Sequence, residues 1–336
     1  MSVPGDDVPP KPDRERSRSR EHGDSAFHNQ VRAARSEFES QIVKARADFE
    51  QANERINART GRNLILAILI GLAIGVVVVG SLIFVKWVFV LFAVPVALLG
   101  VFEFVRALQA SGRHVDVVPQ LVAGAAVLAA GYFLDPGTHW VVVFAAVVSI
   151  IVWRLMAQMV STEPRRYGDV LSDVLIGGFV QLYVPFLGSL LLILLRQDGG
   201  EFWVLAMIAV VVAADTGAYA AGLSFGRHPM APRISPKKTW EGLAGAAVVA
   251  VVVALGFAWL LLDLPVWTGV IIGLAILGSA TLGDLAESMI KRDLGIKDMS
   301  SWLPGHGGVL DRLDSILPST VVALILFHAL SPLVVS

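Results

Sequence analysis

Between Leu282 and Ser315 the chain reads LGDLAESMIKRDLGIKDMSSWLPGHGGVLDRLDS, a run of acids, bases, one histidine and several glycines. Asp284, Glu287, Ser288 and Lys291 stand at i, i+3, i+4 and i+7, so a helix presents them on one face. Asp311, Asp314 and Ser315 repeat the device at i, i+3 and i+4. Two helix ends can therefore offer carboxylates to one place. Between them lie Lys291, Arg292 and Lys297, then Pro304-Gly305-His306-Gly307-Gly308. Glycines let backbone amides come close to phosphate oxygens. Carboxylates, cations and a glycine turn together suit a polyphosphate with a hard metal. Mg²⁺ takes a few carboxylate oxygens along with substrate phosphates, and Lys and Arg neutralise the remaining phosphate charge.

Two other stretches carry polar groups in oily surroundings. Asp215-Thr216-Gly217-Ala218-Tyr219 ends a run of alanines and valines. An aspartate there is costly unless paired or hydrated, which assigns Asp215 to the site or its support. Ser235-Pro236-Lys237-Lys238-Thr239-Trp240-Glu241-Gly242 precedes another apolar segment. Its lysines and hydroxyls suit a triphosphate, Pro236 stiffens the approach, and Glu241-Gly242 starts a helix. Other polar residues read as structural. Glu103 and Arg106 are one helical turn apart and can pair. Arg154 sits in an apolar stretch and needs a partner or a route to the interface. Trp87, Trp140, Trp203 and Trp267 fall near the ends of apolar segments, as interfacial anchors do.

The elements that must position these groups are membrane helices. The chain has 336 residues, 55% hydrophobic and 16% charged, with a mean hydropathy of +0.68 and a formal net charge of -1. A soluble chain carries about a quarter charged residues. There is no cysteine, which excludes disulfides, thiolate catalysis and cysteine-ligated zinc. The expected fold is all-α, a polytopic bundle of about nine spans of about 20 residues each. The candidate segments are 64–85, 87–109, 118–134, 139–160, 174–195, 202–222, 243–262, 266–286 and 312–334. With the N-terminus in the cytoplasm, the loops after even-numbered spans carry Arg106 and Arg113; Arg165 and Arg166; Arg227, Arg233, Lys237 and Lys238; and Lys291, Arg292, Lys297 and Arg312. The opposite side has Lys86 and Arg196. That asymmetry predicts a cytosolic N-terminus and a cytosolic site in a cell inner or plasma membrane.

Three regions follow. Residues 1–25 are Pro-, Asp-, Arg- and Ser-rich and read as a disordered, solvated tail, not as a nucleic-acid binder. Residues 26–62 carry an apolar stripe through Phe27, Val31, Ala34 and Phe38 and again through Ile42, Ala45, Phe49, Ala52 and Ile56. That is an amphipathic cytosolic helix, free to lie on membrane lipids, to pair with a second copy in a homodimer, or to pack on the domain. Residues 63–336 form the multi-span catalytic domain.

One resemblance fits these residues. Ser288-x-x-Lys291-Arg292, Lys297-Asp298, then His306-Gly307-Gly308-x-x-Asp311-Arg312-x-Asp314 resembles the signature of the phosphatidate cytidylyltransferases, the CDP-diacylglycerol synthases. The D-x-x-A-Y pattern at Asp215 and the S-P-K-K-T-x-E-G pattern at Ser235 resemble the same family, over roughly residues 64–336. Ser300 stands where glycine is common. The resemblance implies a membrane enzyme that uses CTP, phosphatidate and Mg²⁺ and makes CDP-diacylglycerol and pyrophosphate for phospholipid synthesis. Asp284 and Asp311 are the expected metal ligands, with Asp215 and Asp314 assisting and room for a second cation. Lys291 and Arg292 join the carboxylates in catalysis. Ser235, Lys237, Lys238, Glu241, Ser288, Lys297, His306, Gly307, Gly308 and Arg312 are expected to bind substrate. Competing readings are another CTP-dependent lipid-phosphate enzyme or polyprenol kinase, and an ion-coupled transporter. A transporter places its charges at mid-bilayer, often in repeated halves; here they gather at one edge and no internal repeat is evident.

Overall fold

A computed structural model of the chain describes residues 64–161, 165–300 and 307–334. The tail at 1–25, the amphipathic helix at 26–62 and His306 lie outside the described residues. The chain divides between Leu66 and Ala67 into two units, and all that follows concerns the second apart from the first turn of α1.

The helices are α1 (Leu64–Phe84), α2 (Lys86–Ala110), α3 (Val117–Phe133), α4 (Pro136–Val160), α5 (Tyr167–Gln181), α6 (Leu187–Arg196), α7 (Gly200–Phe225), α8 (Trp240–Leu260), α9 (Thr268–Asp293), α10 (Leu310–Leu313) and α11 (Ile316–Leu330). A helix coincides with each of the nine expected apolar segments. Seven stretches among the described residues are long and apolar enough to cross a membrane; Gly71–Phe84 within α1, and α3, are shorter apolar stretches. Leu182–Phe186 is a π-helical turn around Pro185 that joins α5 to α6 into one 30-residue stretch, Tyr167–Arg196. A π-turn accommodates the backbone donor that proline lacks.

The fold is all-α apart from one short hairpin among the described residues. Strands β1 (Pro229–Ala231) and β2 (Ser235–Thr239) pair antiparallel, with Pro229 opposite Thr239 and Ala231 opposite Ser235. The Ser-Pro-Lys-Lys-Thr motif is therefore a strand. It ends at Thr239, whose Oγ1 accepts the Gly242 amide at 3.1 Å and so caps α8.

The second half is held by small residues. On α8, Ala246, Ala250, Ala254 and Ala258 recur every fourth residue and are all buried. They let α8 lie against α7 on one side and α9 on the other. Close approach between α7 and α8 depends on Gly245, where Ala221 occupies the space that a Cβ would take. Without a hydrophobic driving force between helices in lipid, contact of this kind supplies much of the association. Helix α9 then packs on α11, and α11 on α6.

The first half contains a separate polar knot. Asp173, wholly buried, takes Arg154 at 3.0 Å and Arg165 at 2.6 Å on one oxygen, and the His114 amide at 3.2 Å on the other. This is the partner that Arg154 required. Of the four tryptophans expected at interfaces, Trp87, Trp140 and Trp267 are exposed, whereas Trp203 is buried edge-on against Phe327 with ring centroids 5.9 Å apart. A position near a helix end does not decide which way the ring faces, and Trp203 faces inward.

Candidate active site

The polar residues of the second half sort into two adjoining groups. The first lines a cavity of about 220 Å³ between α7, α8, α9 and the hairpin. Asp215 and Tyr219 come from α7, Lys237, Lys238 and Thr239 from β2, and Asp284 from α9. Alanines of α7, α8 and α9, with Met230, Leu243 and Leu277, line much of the rest, so charged and apolar groups share the cavity. Lys238 Nζ pairs with Asp284 Oδ2. Ser288 Oγ donates to Asp284 Oδ1 at 3.3 Å, one turn along the same helix. Arg292 Nε donates to the Ile234 carbonyl at 3.3 Å. Two contacts from α9 thus fix the hairpin over the cavity.

The second group holds the signature loop. Lys291 Nζ lies 3.0 Å from Glu287 Oε2 and 2.8 Å from Asp311 Oδ1. Asp311 also accepts the Gly308 amide at 2.8 Å and the Met299 amide at 3.0 Å. Asp314 is buried beside Glu287, and its Oδ1 accepts the Ser315 amide at 2.6 Å. Gly283 on α9 has no room for a Cβ because the Asp314 carbonyl fills that space. The two helix ends meet through Lys291, an arrangement their spacing allowed.

The expected residues are distributed unevenly. Asp215, Lys237, Lys238 and Asp284 share the cavity, with Ser288 bonded to Asp284. Asp311 is not placed with Asp215 and Asp284; both of its oxygens are engaged by Lys291 and the loop amides. Gly308 gives its amide to Asp311, an internal contact and not an open cradle. Gly307 has φ +81°, the left-handed conformation that favours glycine. Glu241 accepts the Arg227 and His228 amides at 3.1 and 3.2 Å and the His228 ring at 2.5 Å. It braces the connection between α7 and β1. Lys297 and Arg312 are exposed near the loop, and Ser235 is half-buried at the start of β2.

One residue escaped sequence reasoning. Glu103 does not pair with Arg106, whose Nη1 donates to Gln109 Oε1 at 3.1 Å. Glu103 is 2% exposed and accepts from Ser300 Oγ at 2.5 Å and from the Leu310 amide at 2.9 Å. The available signal was an acid inside an apolar span, which must find a donor on some other element.

Among the described residues, no three Asp, Glu or His side chains stand close enough to hold a metal by themselves. The donors nevertheless fit a hard cation that shares its coordination with phosphate, because that arrangement needs one or two carboxylates. Asp215 and Asp284 face one cavity. Close by, Glu287 and Asp314 are two buried carboxyl groups in direct contact, a further concentration of carboxylate oxygen.

Comparison with known proteins agrees with this chemistry. Residues 65–330 match the family model described as the cytidylyltransferase family. A phosphatidate cytidylyltransferase of Mycobacterium bovis is 40% identical over 285 residues, covering 81% of this chain and 91% of the relative. One from Mycobacterium leprae is 36% identical over 273 residues, covering 79% and 88%. A Haemophilus influenzae protein of the same name is 41% identical over 143 residues, 40% of this chain and 50% of its own length. A match that runs through nearly every described helix, and takes in both polar groups, places the chain in the cytidylyltransferase family.

Proposed function

We propose that this chain is an integral-membrane nucleotidyltransferase that makes CDP-diacylglycerol and pyrophosphate from CTP and phosphatidate, a step of phospholipid synthesis. The observation that carries this reading is the cavity lined by Asp215, Asp284, Lys237 and Lys238 from three elements, together with apolar side chains of the same helices. A mixed lining of this kind suits a soluble triphosphate that meets a lipid phosphate. The curated relatives carry the name of this activity over most of their length.

In the reaction a phosphate oxygen of phosphatidate forms a bond to the α-phosphorus of CTP, the bond from that phosphorus to the bridging β-phosphate oxygen breaks, and pyrophosphate leaves. The nucleophile is a phosphate monoester with a second pKa near 6, so no strong base is required. The barrier is the approach of one anion to another, and catalysis rests on in-line positioning and charge neutralisation. Lys237 and Lys238 hold phosphate oxygens from the hairpin side. Lys291 holds Asp311 and Glu287 in place, and Arg292 holds the hairpin. Lys297, Arg312 and His306 supply further donors at the loop. Mg²⁺ bound by Asp215 and Asp284 would neutralise and orient the polyphosphate, and the oxygens of Glu287 and Asp314 offer a second cation a place. Asp311 serves the same centre by fixing the loop.

All nine apolar segments cross the membrane in this reading, with the 17-residue α3 as the short span. The N-terminus and the site are cytosolic, where CTP is available. Purified full-length protein with CTP, Mg²⁺ and phosphatidate in detergent tests the function. CTP-dependent release of CDP-diacylglycerol is the expected result. No product from folded protein would sink the proposal.

A further inference from the structure

Glu103 belongs to α2, far in sequence from the loop, yet it joins both flanks of residues 301–306. Its Oε1 accepts from Ser300 Oγ at 2.5 Å, and its Oε2 accepts from the Leu310 amide at 2.9 Å. Leu310 is the first residue of α10 and is fully buried. Helix α10 itself packs on α2. A Cβ on Gly308 would come within 2.8 Å of Glu103 Oε2, so the carboxylate also fills the space above that glycine. Burying a carboxylate inside an apolar bundle is expensive unless both oxygens find donors. Here both do, and both donors lie at the loop.

The connections continue inward. Asp311 follows Leu310 and bonds Lys291, the Gly308 amide and the Met299 amide. Lys291 also bonds Glu287, which lies one turn from Asp284 on α9. We propose that Glu103 is a positioning residue: its carboxylate clasps the loop at Ser300 and Leu310, and so sets Asp311 against Lys291. The role in turnover rests on the proposed function; the clasp does not.

If Glu103 were only a satisfied buried acid, weakening it would lower stability and leave turnover per folded molecule intact. A positioning role predicts something else. Glu103→Gln keeps the size but removes the negative charge, so the bonds to Ser300 and to the Leu310 amide lose their charge assistance. Displacement of a positioned group by about 1 Å costs about 10²-fold, so kcat should fall about 10- to 10²-fold while KM for CTP stays within about threefold. Ser300→Ala removes one strand of the clasp and should lower kcat less. The double variant should be no worse than Glu103→Gln alone, because contacting residues are not additive.

Two measurements decide the matter. Hydrogen exchange without substrate should quicken at the Leu310 and Gly308 amides in Glu103→Gln and stay unchanged in α7 and α8. Unchanged exchange at those amides would overturn the clasp. Faster exchange with unchanged kcat would overturn the positioning role. If the wild-type protein makes no CDP-diacylglycerol, the role in turnover falls with the function, while exchange still decides the clasp.

Discussion

Lys238 on the hairpin and Asp284 on α9 form an ion pair at the cavity wall. It joins the two sequence motifs that lie farthest from looking alike. Both side chains are about a quarter exposed, at 26% and 28%, so solvent and phosphate can reach the pair. The two partners should fail differently. Lys238→Met removes a proposed phosphate-binding cation and should raise KM for CTP about tenfold or more, with a smaller effect on kcat. Asp284→Asn removes a proposed metal ligand and should lower kcat by about 10²-fold or more, unrelieved by higher CTP. Steady-state kinetics of both variants check this. Equal effects on KM alone would remove Asp284 from the metal.

Asp311 and Asp215 differ in how they are held, and substitution should separate their roles. Asp311 accepts four contacts from Lys291, Met299 and Gly308. Asp311→Asn should therefore lower thermal stability, by about 1–3 kcal/mol for the broken network, and also reduce turnover. Asp215 is exposed to the cavity. Asp215→Asn should lower turnover by about 10²-fold or more with little change in melting temperature, and its residual activity should need more Mg²⁺. Melting curves in detergent and a Mg²⁺ titration test both. An Asp311→Asn protein as stable as wild type, with a raised Mg²⁺ requirement, would return Asp311 to the metal.

The sequence disclosed the parts of this molecule that depend on local spacing. Apolar segments of about 20 residues marked the helices, and i, i+3, i+4 carboxylates marked the two helix ends that converge. What it hid was long-range pairing. Glu103 and Ser300 lie 197 positions apart, and no local rule links them. Arg154 announced a need for a partner, but Asp173 could be found only once α4 and α5 lay side by side. The division of the carboxylates between cavity and loop was likewise invisible. Spacing says which residues share a face, not which backbone amides will reach them first.

Gly308 should tolerate nothing larger. A Cβ there would lie 2.8 Å from Glu103 Oε2, 3.0 Å from Asp311 Oδ2 and 3.1 Å from the Ser300 amide nitrogen. Both carboxylates would have to move. Gly308→Ala should lose turnover and melt several degrees lower. Gly307→Ala should show a milder loss, about 1–2 kcal/mol, because φ +81° strains an alanine while the space is less tight. Paired melting and activity curves compare them. A Gly308→Ala protein with normal turnover would mean that the clasp around it is loose.

Asp173 offers a contrast far from the loop. Its side chain is wholly buried, and it neutralises Arg154, 9% exposed, and Arg165, 17% exposed. Removing one member of a buried pair leaves an uncompensated charge and costs about 3–5 kcal/mol. Asp173→Asn should keep a similar shape while leaving two cations without their carboxylate. The expected result is a large drop in melting temperature, with nearly normal turnover for the fraction that remains folded. Arg154→Met should cost less, because Arg165 still pairs with Asp173. Activity normalised to folded protein is the decisive readout. Loss of turnover in a stable Asp173→Asn protein would show that this knot takes part in the reaction, not only in holding α4 and α5 together.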